Sequence, residues 1–396
     1  MSERNLDFDA LVDRYGTDSL KFDSALQRGM PTDLLSYWVA DMDFQVSSYI
    51  QDALARVVDH GVFGYTEPDD RYFSAVQNWM LTRHNFAVTS DQLVKTPGVV
   101  FALAQAIRAF TQVGDAVLIQ QPVYYPFSEV IVSNGRRLVS SDLVQDATGR
   151  YQIDFDDFER KIVDHNVKLF LLCNPHNPVA RVWSRDELAR LAAICLEHNV
   201  LVVSDEIHHD FVFQGEHTVF ETLSPEVADI TITCTAPSKT FNLAGLQVSN
   251  LFITNEKLRA RYSAEMYACG YSQLNTLGLA AARAAYEHGA EWCDAMLRYI
   301  AENIKFATEF VNSEIPGIST RANEGTYLMW LDCRALGLSV DELDDLIVKD
   351  AKLWLDSGRI FGAPGAGFQR VNLACSRRYL EKGLVQLRDA VLARRS

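Results

Sequence analysis

The stretch Lys168-Leu-Phe-Leu-Leu-Cys-Asn-Pro-His-Asn-Pro178 opens as a short apolar run with no polar alternation and breaks into Asn-Pro-x-Asn-Pro. Two later stretches likewise pass from a short Val-, Ile- or Leu-containing run into polar residues at its end, Val200-Leu-Val-Val-Ser-Asp-Glu-Ile-His208 and Ile230-Thr-Ile-Thr-Cys-Thr-Ala-Pro-Ser-Lys239. Ala116–Ile119 and Asn250–Ile253 are further runs of this kind. Such runs suit strands buried on both faces, as in a parallel sheet. Amphipathic helical stretches lie between or beside them. The clearest is Leu188–Glu197, preceded by Ser184 and Glu187 at capping-box spacing. Strand–helix alternation predicts an α/β fold with an open, mainly parallel sheet.

Working outward, residues 1–45 read as an irregular arm and 46–285 as the large domain. Residues 286–396 read as a smaller α+β domain. Helical patterns cover Leu277–His288 and Glu291–Asn312, a strand-like run Tyr327–Leu331 follows, and another helix falls near Val340–Asp350. The loop Gly362–Gly367 then leads into Arg370–Ala374 and a closing helix, Arg378–Ala393. A chain of 396 residues exceeds what one core supports, which accords with this division. The net charge of -15 argues against a nucleic-acid binder. No apolar run is long enough to span a membrane, and the start has no signal-peptide pattern. The seven cysteines contain no Cys-x-x-Cys pair and read as reduced thiols of a cytoplasmic protein.

In open α/β sheets, ligand groups gather beyond the carboxyl ends of the strands. Those positions hold Tyr124-Tyr125, Asn174-Pro-His-Asn177, Asp205-Glu-Ile-His208 and Ser238-Lys239. An aromatic, an amide, a carboxylate and a lysine therefore emerge in chain order along one edge. Pyridoxal phosphate uses this set: a lysine for its aldehyde, an acid for its ring nitrogen, a donor for its phenolate oxygen and a flat neighbour for its ring. A phosphate site is also at hand, because Thr96-Pro-Gly98 precedes an apolar-periodic helix, Val99–Phe110, with free amides at its start.

The motifs Asn-Pro-x-Asn-Pro, Asp-Glu-Ile and Ser-Lys-Thr-Phe-Asn, in this order and spacing, resemble those of fold-type I pyridoxal-phosphate enzymes of the class I/II aminotransferase family. Finer features resemble its branch of carbon–sulfur β-lyases, the MalY/PatB type. These are Trp38-Val-Ala-Asp-Met-Asp-Phe44, Gly61-Val-Phe-Gly-Tyr65, Asp205-Glu-Ile-His208 and Ala236-Pro-Ser-Lys-Thr-Phe-Asn-Leu-Ala-Gly-Leu246. The resemblance implies that Lys239 is the Schiff-base lysine and Asp205 the partner of the pyridine nitrogen. It implies that Asn177 donates to the phenolate oxygen and Tyr124, with Tyr125 as rival, stacks on the ring. The Val99 and Val100 amides with Ser238 would hold the phosphate, and His208 would sit near the phenolate oxygen where aminotransferases carry tyrosine. Arg370 would grip the substrate carboxylate, with Ala40 also on the substrate side. Tyr65 would reach the phosphate of the neighbouring subunit in a homodimer.

Two positions depart from the commoner pattern: Gln247 stands where many relatives have arginine, and Ala236 where many have serine. Both remove contacts to the phosphate. The cluster His208, His209, Asp205, Glu206 and Asp210 suggests a metal, but alternation along a strand would point these side chains to opposite faces, so no metal is expected. The glycines Gly362, Gly365 and Gly367 complete no phosphate-binding motif and read as a turn delivering Arg370. The implied reaction is β-elimination from L-cystathionine or a related S-substituted cysteine, giving a thiol, pyruvate and ammonia. Transamination shares its early steps and is the alternative; a regulatory role through a partner protein is a third reading.

Overall fold

The computed structural model describes residues 3–395. Seven strands form the main sheet: β1 (Leu93–Thr96), β2 (Ala116–Ile119), β3 (Arg137–Ser140), β4 (Leu169–Cys173), β5 (Leu201–Asp205), β6 (Thr231–Thr235) and β7 (Ser249–Phe252), in the spatial order β1-β7-β6-β5-β4-β2-β3. Only β7 runs against its neighbours; β2 through β6 pair in parallel. The predicted runs fall within a residue of these strands.

The absence of polar alternation has a direct cause. Val117, Ile119, Leu169, Leu171, Val203 and Ile232 face one core with the helix Val99–Phe110, while Ala116, Leu118, Phe170, Leu172 and Val202 face another with Leu188 and Leu191. Both faces are covered, so in β2, β4 and most of β5 both sets of positions are apolar; in β6 the second set is the buried threonines Thr231, Thr233 and Thr235, each hydrogen-bonded through its hydroxyl. The helix Arg185–Glu197 starts with the expected box: the Ser184 side chain accepts from the Glu187 amide, and Glu187 reaches back to the Ser184 amide.

A second sheet, β8 (Leu328–Asp332), β10 (Phe368–Asn372) and β9 (Asp356–Ser357), is antiparallel in the order β8-β10-β9. Its register sets Arg370 opposite Asp356 on one side and Trp330 on the other. The long helix Ala290–Glu314 and the closing helix Arg377–Arg395 pack nearby. The arm joins this region: Leu35–Ser36 pairs in parallel with Leu353–Trp354, and Trp38 stacks on Trp354 at 4.5 Å. The glycines before β10 serve packing. A Cβ on Gly358 would lie 2.1 Å from the Gly365 carbonyl oxygen, and one on Gly362 would strike the Gln121 side chain.

Six of the seven cysteines are buried, and Cys269 is exposed. Among the described residues no helix is long and apolar enough to cross a membrane.

Candidate active site

Six segments meet at the carboxyl edge of the main sheet around a cavity of about 510 Å³. Ala40, Val99, Val100, Tyr124, Asn177, Asp205, His208, Ser238, Lys239 and Gln247 all line it. Parallel strands bring this about: residues far apart in sequence leave the sheet on the same side. Of the two tyrosines, Tyr124 lines the cavity and Tyr125 does not.

Lys239 sits in the one-turn helix Pro237–Thr240 directly after β6. Its Nζ donates to the Ala40 carbonyl at 2.6 Å. Burial lowers its pKa to about 8; Arg370 acts in the same direction, while Asp41 and Asp205 oppose it. Asp205 closes β5 and accepts one hydrogen bond, from the Ile207 amide at 3.1 Å. Burial pushes its carboxyl up to about 7, against the pull of that amide and of Lys239. A buried carboxylate with so little compensation is poised for a cationic or N–H partner. His208 is also buried, and its Nδ1 has no hydrogen-bond partner. Burial, together with Lys239 and Arg370, holds it well below the usual histidine range, so the ring is neutral.

The helix Val99–Phe110 points its first amides at the cavity behind Gly98, whose φ of +147° no side-chain-bearing residue adopts readily. Nothing lies within 4 Å of where a Gly98 Cβ would be, so backbone conformation is what calls for glycine. Arg370 reaches the site from β10. It donates to Asn177 Oδ1 at 2.9 Å and the Trp38 carbonyl at 3.0 Å, and pairs with Asp356; its buried Nε has no partner. With its oxygen engaged by Arg370, Asn177 has its NH2 as the end to offer a ligand.

Two contributors carried no recognisable signal in the sequence. Tyr327 donates to the Ala40 carbonyl at 2.9 Å, so Ala40 accepts from both the tyrosine and Lys239. Asp356 lies in a two-residue strand without a motif, and only strand register reveals it as the partner of Arg370. Tyr65 is not brought to the cavity: it is 97% exposed, in a separate cleft with Val62, Gly64, Thr276 and Arg283. The 205–210 segment corrects the expected strand alternation, because β5 ends at Asp205 and residues 206–210 form a turn. Asp205 and His208 face the cavity, while His209 and Asp210 converge behind it on His84.

The site residues fit a phosphorylated aldehyde with a basic ring nitrogen: an amine, an uncompensated buried carboxylate and a helix start surround one space. Residues 40–387 match the family model for class I and II aminotransferases. The chain belongs to this family. It is 44% identical over 387 residues to the cystathionine beta-lyase PatB of Bacillus subtilis, covering 98% of this chain and all of the relative. Cystalysin from Treponema denticola, whose crystal structure contains a pyridoxal 5′-phosphate cofactor, superposes with a TM-score of 0.94 at 37% identity, over 98% of this chain and 99% of that one. The PLP-bound C–S lyase from Staphylococcus hominis superposes with a TM-score of 0.90 at 32% identity, over 98% of each chain.

Proposed function

We propose that the chain is a pyridoxal 5′-phosphate-dependent carbon–sulfur β-lyase that eliminates a thiol from L-cystathionine or a related S-substituted cysteine, leaving pyruvate and ammonia. The observation that carries this reading is the facing of Lys239 and Asp205 across one cavity, the amine shifted down to about 8 and the carboxyl up to about 7. When bound, the cofactor supplies an aldehyde for the substrate's amino group and a ring that takes up the electron pair released at the α-carbon.

The chain's own groups divide the remaining work. Lys239, neutral more often than an ordinary lysine near pH 8, takes the proton from the substrate α-carbon. The Ala40 carbonyl, itself fixed by Tyr327, holds the Lys239 amine while it is free. Asp205 would hold a proton on the ring nitrogen, and the amides of Val99 and Val100 with Ser238 would hold the phosphate. Tyr124 would supply a flat neighbour for the ring, and Asn177 with His208 would offer polar groups to the phenolate oxygen. Arg370 offers its fork to the substrate carboxylate, and Asp356 orients it from behind.

The proposal extends to a homodimer in which Tyr65 of a second copy completes the phosphate site. The exposed group Val58, Val62, Phe63 and Tyr65 supports it. On this view the division into an arm to residue 45, a large domain to 285 and a small one beyond lets the small domain carry Arg370 to the large domain's cavity.

Cofactor-loaded protein and L-cystathionine, mixed without any keto acid, test the reading. Sustained pyruvate release with the cofactor's visible absorbance maintained is the expected result. Absence of pyruvate, with loss of that absorbance until a keto acid restores it, replaces the lyase with an aminotransferase.

A further inference from the structure

Behind the cavity, the Asp210 carboxylate collects donors from three separate parts of the chain. His84 Nε2 lies at 2.9 Å and Trp79 Nε1 at 3.2 Å, both from the helix Asp70–His84. Thr240 Oγ1 donates at 2.5 Å, and His209 Nε2 faces the carboxylate at 3.2 Å. Thr240 directly follows Lys239, and Asp210 ends the turn that begins at Asp205. We infer that Asp210 and Thr240 are positioning residues: their hydrogen bond is a strut that fixes the lysine-bearing turn relative to the turn carrying Asp205 and His208.

A proton count supports an ion pair within the strut. The His209 Nδ1 contacts the Glu206 carbonyl, which only accepts, so Nδ1 carries a hydrogen. A neutral ring would then aim the Nε2 lone pair at the carboxylate. Protonated at both nitrogens, His209 instead pairs with Asp210. Thr240 anchors one flank of Lys239. On the other, the Asn242 side chain binds the Met42 amide and the Met42 and Phe44 carbonyls, fixing the segment next to Ala40. Lys239 therefore leaves a turn clamped on both sides. Among the described residues no other side-chain hydrogen bond joins the two turns: Glu206 is engaged by Ser204, His217 and the Phe220 amide. Misplacing a reacting group by about 1 Å costs up to about 100-fold in rate, which is the penalty such a strut avoids.

The inference rests on Lys239 being the cofactor's lysine, and the experiment separates the two. In Lys239→Ala, loss of the cofactor's visible absorbance supports that assignment and its retention overturns it. The strut is read in Thr240→Val, which keeps the shape and leaves the histidine and tryptophan donors on Asp210, with Thr240→Ser as the conservative control. In holoenzyme, Thr240→Val is expected to lower kcat about tenfold with KM within about twofold, and to speed cofactor loss into a carbonyl scavenger, while Thr240→Ser stays within about twofold of the parent. The pH at which the cofactor's absorbance changes should move in Thr240→Val and not in Thr240→Ser. Unchanged kcat, absorbance and cofactor release in Thr240→Val overturn the strut, as does a loss confined to thermal stability. If Thr240→Val does not fold, Asp210→Asn is read by the same three measurements. A stoichiometric metal found in the purified protein, bound through His84, His209 and Asp210, would overturn the ion-pair assignment.

Discussion

Asp205, at the end of β5, and Asp210, at the end of the turn that follows, have buried side chains only five residues apart, yet they live in opposite electrostatic circumstances. Asp205 has one backbone donor, and burial raises it to about 7. Burial also acts to raise Asp210, but the charge of the adjacent His209 and the contact with His84 hold it well below the usual carboxylate range. The contrast separates two uses of a buried charge. A carboxylate satisfied by its own protein is structure; one left short of partners is reserved for a ligand.

The comparison breaks most visibly at Lys239, across the cavity from Asp205. Lys239→Ala should cut pyruvate formation by about 10³-fold or more, since the proton acceptor itself is gone. The second test moves to the back of the turn. Asp210→Asn leaves an imidazolium and several donors facing a neutral amide, and should lower the unfolding free energy by about 3–5 kcal/mol in denaturant titration. The sign of its pH dependence follows from a folded value below the ordinary one. The Asp210 contribution is present in full above the ordinary carboxylate range and is lost as pH falls towards the folded value. Acid unfolding should therefore begin at higher pH in the variant. Asp205→Asn should do the reverse of Asp210→Asn: stability unchanged or improved, but kcat lower by about 100-fold and the cofactor's absorbance altered. Equal stability losses in the two variants would erase the distinction.

The front of the site was open to sequence reading because chain order and geometry coincide there. Parallel strands put their carboxyl ends on one edge, so Tyr124, Asn177, Asp205 and Lys239 could be found one at a time after each apolar run. The back was not, because its partners come from distant segments. Asp210 is held by His84 and Thr240, which are 126 and 30 residues away, and neither sits in a pattern that announces it. Strand geometry over residues 206–210 would point His209 and Asp210 to opposite faces, whereas the turn found there lets them point together. Asp356 was hidden for a similar reason: a two-residue strand has no periodicity to detect, and its role follows from the register with Arg370. The role proposed for Tyr65 comes only from the resemblance, and within a single chain this residue stands far out in solvent.

The smallest effect is expected at Gln247, at the proposed phosphate end of the cavity, where the family resemblance leads to an expectation of arginine. Gln247 lines the same space as Val99, Val100 and Ser238, with a left-handed backbone at φ +49° fixed by the turn before β7. Substitution to arginine leaves Asp205 and Asp210 untouched and adds a charge-assisted donor at the phosphate end. Its benefit should therefore appear in cofactor affinity and not in stability. Gln247→Arg should tighten pyridoxal phosphate binding by about tenfold at low salt, measured by equilibrium titration of the apoprotein. The gain should shrink as ionic strength rises, because the cavity opens to solvent and the added charge is screened. A gain that survives high salt would mean that the arginine acts by packing. No gain at all would mean that the helix amides and Ser238 already compensate the dianion, and that the departure from the commoner pattern costs this protein nothing.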